Sequence, residues 1–219
     1  MIFVNFKTYQ KGTGVEGISL IRILESVASR AQVKIVPVVQ ATDVKEAVVS
    51  TKLEIWVQNI DPFSYGAHTG AILPEAVLED GAVGTFLNHS ENKFSSFEDL
   101  KTANKRAIDV GLKTLIFAPS LKELEEVCSL SPTYAAYEPP EFIGKIDVSV
   151  SSAQPEIIAK AVVTTKEKGI PLVVGAGIHS REDVKKSVEL GAVGVAVATD
   201  IVKAVDPEKE LLDLTEGFK

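Results

Sequence analysis

The feature that most constrains the fold of this chain is a regular alternation of short apolar runs with longer stretches of helical periodicity. Eight apolar runs, rich in Val, Ile, Leu and Phe, recur along the 219 residues, at a mean spacing of about 27 residues. Strands that alternate with helices in this way are typical of a parallel sheet with helical crossovers. The predicted strands cover residues 2–6, 33–38, 54–59, 83–87, 113–118, 133–138, 171–174 and 193–198.

Eight units of one strand and one helix are enough to close a sheet on itself. An open, doubly wound sheet more often has about five or six strands, so the count favours a (β/α)₈ barrel, an α/β fold. No Ser/Gly-rich linker or block of charge divides the chain, and we therefore expect residues 1–219 to form a single domain. Helices are predicted at residues 18–30, 44–50, 96–110, 120–130 and 154–169, and others begin at 74, 180 and 199.

The composition is that of a folded protein with a sizeable core, because 45% of the residues are hydrophobic and 24% are charged. The net charge of −7 argues against a general nucleic-acid-binding surface. The single cysteine, Cys128, cannot form an intrachain disulfide, and the sequence has neither a signal peptide nor an apolar run long enough to span a membrane. We therefore expect a cytoplasmic protein.

The residues best suited to chemistry lie where the predicted strands end. In a barrel of parallel strands the carboxyl ends meet at one rim, so side chains that are far apart in sequence converge there. Asn5 and Lys7 end or follow the first strand, His89 follows the fourth and Glu138 ends the sixth. Backbone groups that can bind an anion come from the loops after strands seven and eight, at Gly175, Gly177, Ala198 and Thr199.

Glu138 is the candidate base because it combines a strand end with a loop that can cover it. The two prolines that follow it stop the strand and hold Glu138 in an extended conformation. Residues 139–145 then include the apolar Phe142 and Ile143 and the flexible Gly144, a pattern that suits a lid over a site. A surface glutamate in an ordinary loop is the alternative interpretation.

A carboxylate can remove a proton next to a carbonyl if donors placed in advance stabilise the enolate oxygen. His89 and Lys7 are the candidate donors, and Asn5 points to the same side of its strand as Lys7. We expect Ser90 and Glu91 to begin a short helix whose positive end keeps His89 neutral. The alternative is a histidine and a lysine without a catalytic role.

Other signatures are weak or absent. Gly175-Ala-Gly177 alone is also typical of a tight turn, and His68 and His179 lie in loops without partners at metal-ligand spacing. Motifs for nucleotide binding and for nucleophilic catalysis are missing. The sequence therefore predicts a site without metal or cofactor.

The chain resembles the triosephosphate isomerase family through five segments that occur in the family's order, and its compact length resembles the archaeal branch. The ordered set is far more specific than any one segment. The resemblance implies the TIM barrel fold and the interconversion of dihydroxyacetone phosphate and D-glyceraldehyde 3-phosphate through an enediolate, in glycolysis and gluconeogenesis. The segments are Asn-Phe-Lys at 5–7, Gly-Ala-His-Thr-Gly at 66–70, Asn-His-Ser-Glu at 88–91, Ala-Tyr-Glu-Pro-Pro-Glu-Phe-Ile-Gly at 136–144 and Gly-Ala-Gly at 175–177.

The resemblance also implies roles for individual residues. Glu138 is the base, His89 is the electrophile, and Lys7 and Asn5 bind and polarise the substrate, which is the established division of roles in this family. Glu91 pairs with Lys7. The residues implied to hold the substrate and its phosphate are Ile143, Gly144, Gly175, Gly177, Ala198 and Thr199.

Family members are at least dimeric, so the resemblance implies a homo-oligomer, with a dimer favoured over a tetramer. Thr69, in the loop of residues 61–70, is then expected to reach toward the site of a neighbouring subunit.

Two segments depart from the family's usual pattern. The lid ends in Gly144-Lys145 where most relatives have a Gly-Thr-Gly-like sequence, and loop eight has Val197-Ala198-Thr199 where many relatives have paired glycines. Two alternative functions stay open. One is another phosphosugar isomerase or an aldolase on the same barrel, and the other is a non-catalytic protein that binds a phosphorylated metabolite.

Overall fold

The computed structural model describes residues 1–140 and 155–219. Within these ranges eight parallel strands pair in sequence order, and β8 pairs with β1, so the sheet closes into a barrel. The predicted (β/α)₈ barrel is confirmed. The strands are β1 (Ile2–Asn5), β2 (Ile35–Val39), β3 (Trp56–Val57), β4 (Gly84–Leu87), β5 (Lys113–Ala118), β6 (Tyr134–Tyr137), β7 (Leu172–Val174) and β8 (Gly194–Val197).

Helices surround the barrel, and three of them begin directly after a serine. The hydroxyls of Ser96, Ser120 and Ser180 each accept a hydrogen bond from a backbone amide in the first turn, which satisfies one of the free amides at a helix start. The helices of the described residues are α1 (Gly14–Ala31), α2 (Val44–Ser50), α3 (Pro74–Glu79), α4 (Phe97–Val110), α5 (Leu121–Cys128), α6 (Pro155–Glu167), α7 (Arg181–Glu189), α8 (Thr199–Val202) and α9 (Pro207–Glu216). None of them combines the length and the hydropathy needed to cross a membrane.

The barrel interior is filled by aromatic and aliphatic side chains, since both faces of a barrel strand are buried. The ring of Phe3 lies 5.0 Å from that of Trp56, and the rings of Phe86 and Phe117 lie 4.9 Å apart. A Cβ atom on Gly84 would lie 2.4 Å from the indole of Trp56, so the glycine leaves room for this large side chain. A second apolar layer lies between the strands and the helices.

Three departures from the predicted elements stand out. Helix α1 begins at Gly14 and not at residue 18, although Gly17 is a poor helix former. A Cβ atom at residue 17 would lie 3.0 Å from the backbone of Gly12, so the glycine permits this close approach. Strand β3 pairs over two residues only. Helix α9 was not predicted as a separate element, although Asp206 followed by Pro207 is a helix-start signal and the Asp206 carboxylate accepts a hydrogen bond from the amide of Lys209 at 3.0 Å.

The amino-terminal rim of the barrel carries a cluster of ion pairs. One carboxylate oxygen of Glu54 lies 2.8 Å from Nζ of Lys34, and the other lies 3.1 Å from Nζ of Lys113. Burial alone would raise the pKa of Glu54, but the hydrogen bonds from the two lysines lower it below its ordinary value. This rim is the opposite end of the strands from the residues that the sequence singles out.

Candidate active site

A cavity of about 120 Å³ opens at the carboxyl-terminal rim of the barrel. Asn5 and Lys7 line it after β1, His89 after β4 and Glu138 after β6. Its remaining wall comes from loop seven (residues 175–180) and loop eight (residues 198–200), with parts of the adjoining strands and of Phe86 and Phe117. Residues from five predicted strand ends therefore meet in one cavity.

Glu138 stands at the edge of this cavity because β6 continues its pairing up to that residue. Its amide donates to the carbonyl of Ala118 at 3.0 Å, and the residue is 6% exposed. Burial raises the pKa of Glu138 to about 7, while Ser90 and Lys7 oppose the rise less strongly. A carboxylate with this raised proton affinity is a stronger base, poised near neutral pH.

His89 faces Glu138 with its Nε2 atom 3.6 Å from Oε1 of the carboxylate. The amide of Glu91 donates to Nδ1 of His89 at 3.2 Å, so Nδ1 is an acceptor and the ring proton of the neutral form lies on Nε2. Burial lowers the pKa of His89 to about 4, with Glu91 acting against this and Lys7 adding to it. The ring also contacts Phe117 edge to face, with centroids 4.9 Å apart. His89 is therefore a neutral imidazole that presents an N–H toward the carboxylate.

The predicted helix at Ser90 is wrong, and a tight turn takes its place. The amide of Asn92 donates to the carbonyl of His89 at 2.8 Å, and no helix forms between β4 and α4. Asn88 has a left-handed backbone, with φ of 58°, and its side chain donates to the carbonyl of Phe117 at 3.1 Å. Burial and the turn, not a helix end, thus keep His89 neutral.

Lys7 is held in an unusual conformation beside β1. Its φ of 48° lies in the left-handed region, which for a lysine costs on the order of 1 kcal/mol or more. The Asn5 side chain accepts a hydrogen bond from the Lys7 amide at 3.0 Å, and Gln58 donates to the Lys7 carbonyl at 2.8 Å. The ammonium group lies 2.7 Å from a carboxylate oxygen of Glu91. These contacts fix a positive charge at the rim of the cavity.

Loops seven and eight form the wall between Glu138 and Lys7, because β7 and β8 lie between β6 and β1 in the barrel. Gly177 has a φ of 62°, and a Cβ atom on Gly175 would lie 3.3 Å from the Cβ atom of Glu138, so both positions favour glycine. Thr199 begins α8, and its hydroxyl lies 3.0 Å from the hydroxyl of Tyr9. This wall offers mainly backbone and small side chains to the cavity.

The comparisons with known proteins agree along the whole chain. A family model described as triosephosphate isomerase matches residues 1–123 and 116–216. The triosephosphate isomerase of Metallosphaera sedula is 39% identical over 218 residues, which cover 99% of this chain and 95% of the relative. That of Methanobacterium bryantii is 38% identical over 98% of this chain and 95% of the relative.

The chain belongs to the triosephosphate isomerase family. A solved structure of the Bartonella henselae triosephosphate isomerase superposes with a TM-score of 0.78 at 19% identity, covering 99% of this chain and 98% of that chain. This likeness supports the fold alone, and it agrees with the closed barrel.

Not every residue that the sequence singled out lies in the cavity. Ile143 and Gly144, with the rest of the lid beyond residue 140, fall outside the described residues. Thr69 is exposed in the loop after β3, away from the cavity lining. Within the described residues no three His, Cys, Asp or Glu side chains lie close enough together to hold a metal ion.

Four residues near the site were missed by sequence reasoning. Ser90 and Gln58 support the base and the lysine, and Tyr9 contacts the start of α8. Asp200 pairs with His179, a residue that the sequence had left without a partner. Only Ser90, inside the Asn-His-Ser-Glu segment, carried a local signal, since the other contacts join distant parts of the chain.

Proposed function

We propose that this protein is a triose-phosphate isomerase that interconverts dihydroxyacetone phosphate and D-glyceraldehyde 3-phosphate without a cofactor, in glycolysis and gluconeogenesis. One observation carries the proposal. A buried carboxylate with a pKa of about 7 faces, at 3.6 Å, an imidazole that is 11% exposed and has a pKa of about 4. Two titratable groups whose environments push their pKa values apart suit a base and a neutral proton donor.

The reaction assigns a step to each group. Ionised Glu138 takes a proton from the carbon next to the carbonyl, and the electron pair moves onto the carbonyl oxygen. His89 donates its Nε2 proton to that oxygen and regains a proton from the hydroxyl on the carbon that Glu138 deprotonated, which becomes the new carbonyl, while the charge of Lys7 stabilises the enediolate. Glu138 then returns the proton to the neighbouring carbon, so the substrate and the enzyme end with no net change in protons. Asn5 fixes Lys7 for this task through their 3.0 Å hydrogen bond.

The phosphate group is proposed to bind at loops seven and eight, which lie between the ends of β6 and β1 at the rim. Gly175, Gly177, Ala198 and Thr199 bring backbone close to the cavity, and backbone amides in such loops bind phosphate well. Family resemblance adds Ile143 and Gly144 of the lid as substrate contacts. Closure of the lid would exclude water and hold back loss of phosphate from the enediolate.

A homo-oligomer is the proposed assembly, with a dimer first and a tetramer second. The loop of residues 61–70 is exposed in the single chain, including Phe63 at 41% and Tyr65 at 73%. A second, wider cavity of about 610 Å³ adjoins the site and is lined by Lys7, Gln58 and Gly70 among others. In the proposed oligomer the loop of residues 61–70 of one subunit covers this second cavity of its partner, with Thr69 as the proposed contact.

The proposed location is the cytoplasm, and residues 1–219 are proposed to act as one domain.

An aldolase that forms a Schiff base is disfavoured by the lysines. Lys34 and Lys113 lie at the amino-terminal rim and are held by Glu54. Lys7 is the lysine that lines the cavity within the described residues, and it is bound to Glu91. A Schiff base needs a lysine amine that can attack the substrate carbonyl, and these ion pairs hold the three amines against carboxylates instead.

The proposal is tested by a coupled assay of glyceraldehyde 3-phosphate isomerisation. Glu138→Asp withdraws the carboxylate by about 1 Å and is expected to lower kcat on the order of a hundredfold. Glu54→Asp is the matched control at the opposite rim and should keep kcat within about twofold, because a surface ion pair contributes little. An inactive wild type would refute the isomerase, and full activity of Glu138→Asp would show that another group is the base.

A further inference from the structure

Loops seven and eight are joined by one short contact between side chains. Nδ1 of His179 lies 2.6 Å from a carboxylate oxygen of Asp200, although the residues belong to different loops. Both residues line the same cavity as Glu138 and His89. A bond this short between an imidazole and a carboxylate is charge-assisted and strong.

Each partner is anchored to its own element. The amide of His179 donates to the carboxylate of Asp183 at 3.1 Å, and Asp183 also receives the amide of Ser180 in the capping box that starts α7. Asp200 lies in α8, where Thr199 contacts Tyr9 from the loop after β1. The contact between His179 and Asp200 therefore links α7 to α8 across the wall of the cavity.

The His179 ring has no other polar contact within the described residues. Its Nε2 atom is buried and makes no hydrogen bond there. Buried polar atoms without partners are uncommon, so the single bond to Asp200 must hold the ring in place. Loss of Asp200 would leave the ring with no polar anchor.

Asp200 brings a negative charge to the cavity wall where the phosphate is proposed to bind, and its hydrogen bond to His179 offsets part of that charge. Among the described residues, Glu138 and Asp200 are the two carboxylates that line the cavity. A bare carboxylate beside a bound phosphate would repel it, whereas a carboxylate hydrogen-bonded by an imidazole has its charge partly offset.

We propose that His179 and Asp200 form a clamp that fixes loops seven and eight relative to each other and masks the Asp200 charge, so that the phosphate end of the substrate binds there. The clamp deepens the proposed isomerase function and rests on it for the position of the phosphate. Both residues are positioning residues, and they take no part in proton transfer. Their loss is expected to weaken binding and to spare kcat.

The two ring nitrogens of His179 can be tested separately. In His179→Asn the amide nitrogen takes the place of Nδ1 and can still donate to Asp200, whereas in His179→Gln it takes the place of Nε2. The clamp predicts that His179→Gln, which breaks the bond and leaves the Asp200 charge bare, raises KM for glyceraldehyde 3-phosphate about fivefold, and that Asp200→Ala, which removes the bond and the charge together, raises it less. His179→Asn should stay within about twofold of the wild type, because it keeps the bond. Rescue by Gln and not by Asn would overturn the clamp, and so would a fall in kcat at unchanged KM.

Two further measurements separate the clamp from a general structural effect. D-glyceraldehyde lacks the phosphate, so its slow turnover should be the same in Asp200→Ala as in the wild type. Asp109→Ala breaks the exposed ion pair with Lys105 on α4 and serves as the matched control that leaves KM unchanged. Equal losses with D-glyceraldehyde, or with Asp109→Ala, would refute the clamp.

Binding of inorganic phosphate, followed by titration calorimetry, tests the clamp without turnover. His179→Gln should raise the Kd of phosphate about fivefold, Asp200→Ala should raise it less, and His179→Asn should leave it unchanged. A wild-type protein that binds phosphate through the clamp but does not isomerise the triose would refute the proposed function and leave the clamp standing. Isomerase activity with a phosphate Kd that these variants do not change would refute the clamp alone.

Discussion

The two rims of the barrel use the same residue types in opposite ways. At the amino-terminal rim, Glu54 lies between Lys34 and Lys113, and their hydrogen bonds lower its pKa. At the carboxyl-terminal rim, Glu138 makes no ion pair with a lysine in the described part of the chain, and burial raises its pKa to about 7. The nearby Lys7 is bound to Glu91 instead. Burial and the presence or absence of a lysine partner, and not the residue type, thus decide whether the pKa of a carboxylate is raised or lowered.

The largest effect expected from this contrast is on the pH dependence of activity. Glu138 must be ionised to act as the base, and its pKa is about 7. kcat/KM should therefore fall about tenfold for each pH unit below that value, or about a hundredfold at pH 5. The titration of His89 causes no further change in kcat/KM between pH 5 and pH 7, because its pKa is about 4. The measurement is a kcat/KM profile from acid to alkaline pH with circular dichroism as a check on folding.

Glu54→Gln is the control for that profile, since it removes the carboxylate at the other rim. It should leave the shape of the profile unchanged. A wild-type profile that is flat across this range would contradict the raised pKa of Glu138.

A smaller effect is expected on stability. The folded-state pKa of Glu138, about 7, lies above the ordinary value of 4.5, so folding favours the protonated form. The resulting stability is complete below pH 4.5 and is lost as the pH rises through about 7. Glu138→Gln, which is always neutral, should then raise the free energy of unfolding by about 3 kcal/mol at pH 8 and by little at pH 4.5.

Urea denaturation at the two pH values checks this prediction. An equal change at both would mean that packing, and not the charge of Glu138, determines the effect. A catalytically dead variant that is more stable than the wild type is the outcome that the contrast between the rims requires.

The smallest effect is expected from the ion pairs of the amino-terminal rim. The side chain of Glu54 is 36% exposed, so solvent screens its bonds to the two lysines. Glu54→Gln should lower the free energy of unfolding by about 1 kcal/mol or less at neutral pH. Because the pKa of Glu54 is lowered on folding, this difference should fade as the medium becomes acid, and high salt should also reduce it. A fall of several kcal/mol in the free energy of unfolding would contradict this prediction, because losses of that size are typical of buried ion-pair networks.

Sequence reasoning succeeded where the signal was local. Eight strands were recognised from short apolar runs, and three helix starts from the serines at 96, 120 and 180, because period and capping depend on neighbouring residues. The strand ends then brought Asn5, Lys7, His89 and Glu138 into one cavity, which follows from the geometry of any closed parallel barrel.

It failed where distant residues decide the local structure. The helix expected at Ser90 is a turn, since Asn88 bonds to the carbonyl of Phe117 on the next strand. The pair of His179 and Asp200 has no local pattern, because it depends on how two loops face each other across the site. The left-handed conformation of Lys7 is likewise invisible in sequence, where a glycine would have been the expected sign.

Trp56 gives the barrel a spectroscopic label. It is the single tryptophan of the chain, it is 1% exposed, and Gly84 leaves the space that its indole fills. Tryptophan emission therefore comes from the interior alone, far from solvent and next to the ring of Phe3. A variant whose emission matches the wild type keeps its barrel, so any loss of activity in that variant originates at the rim.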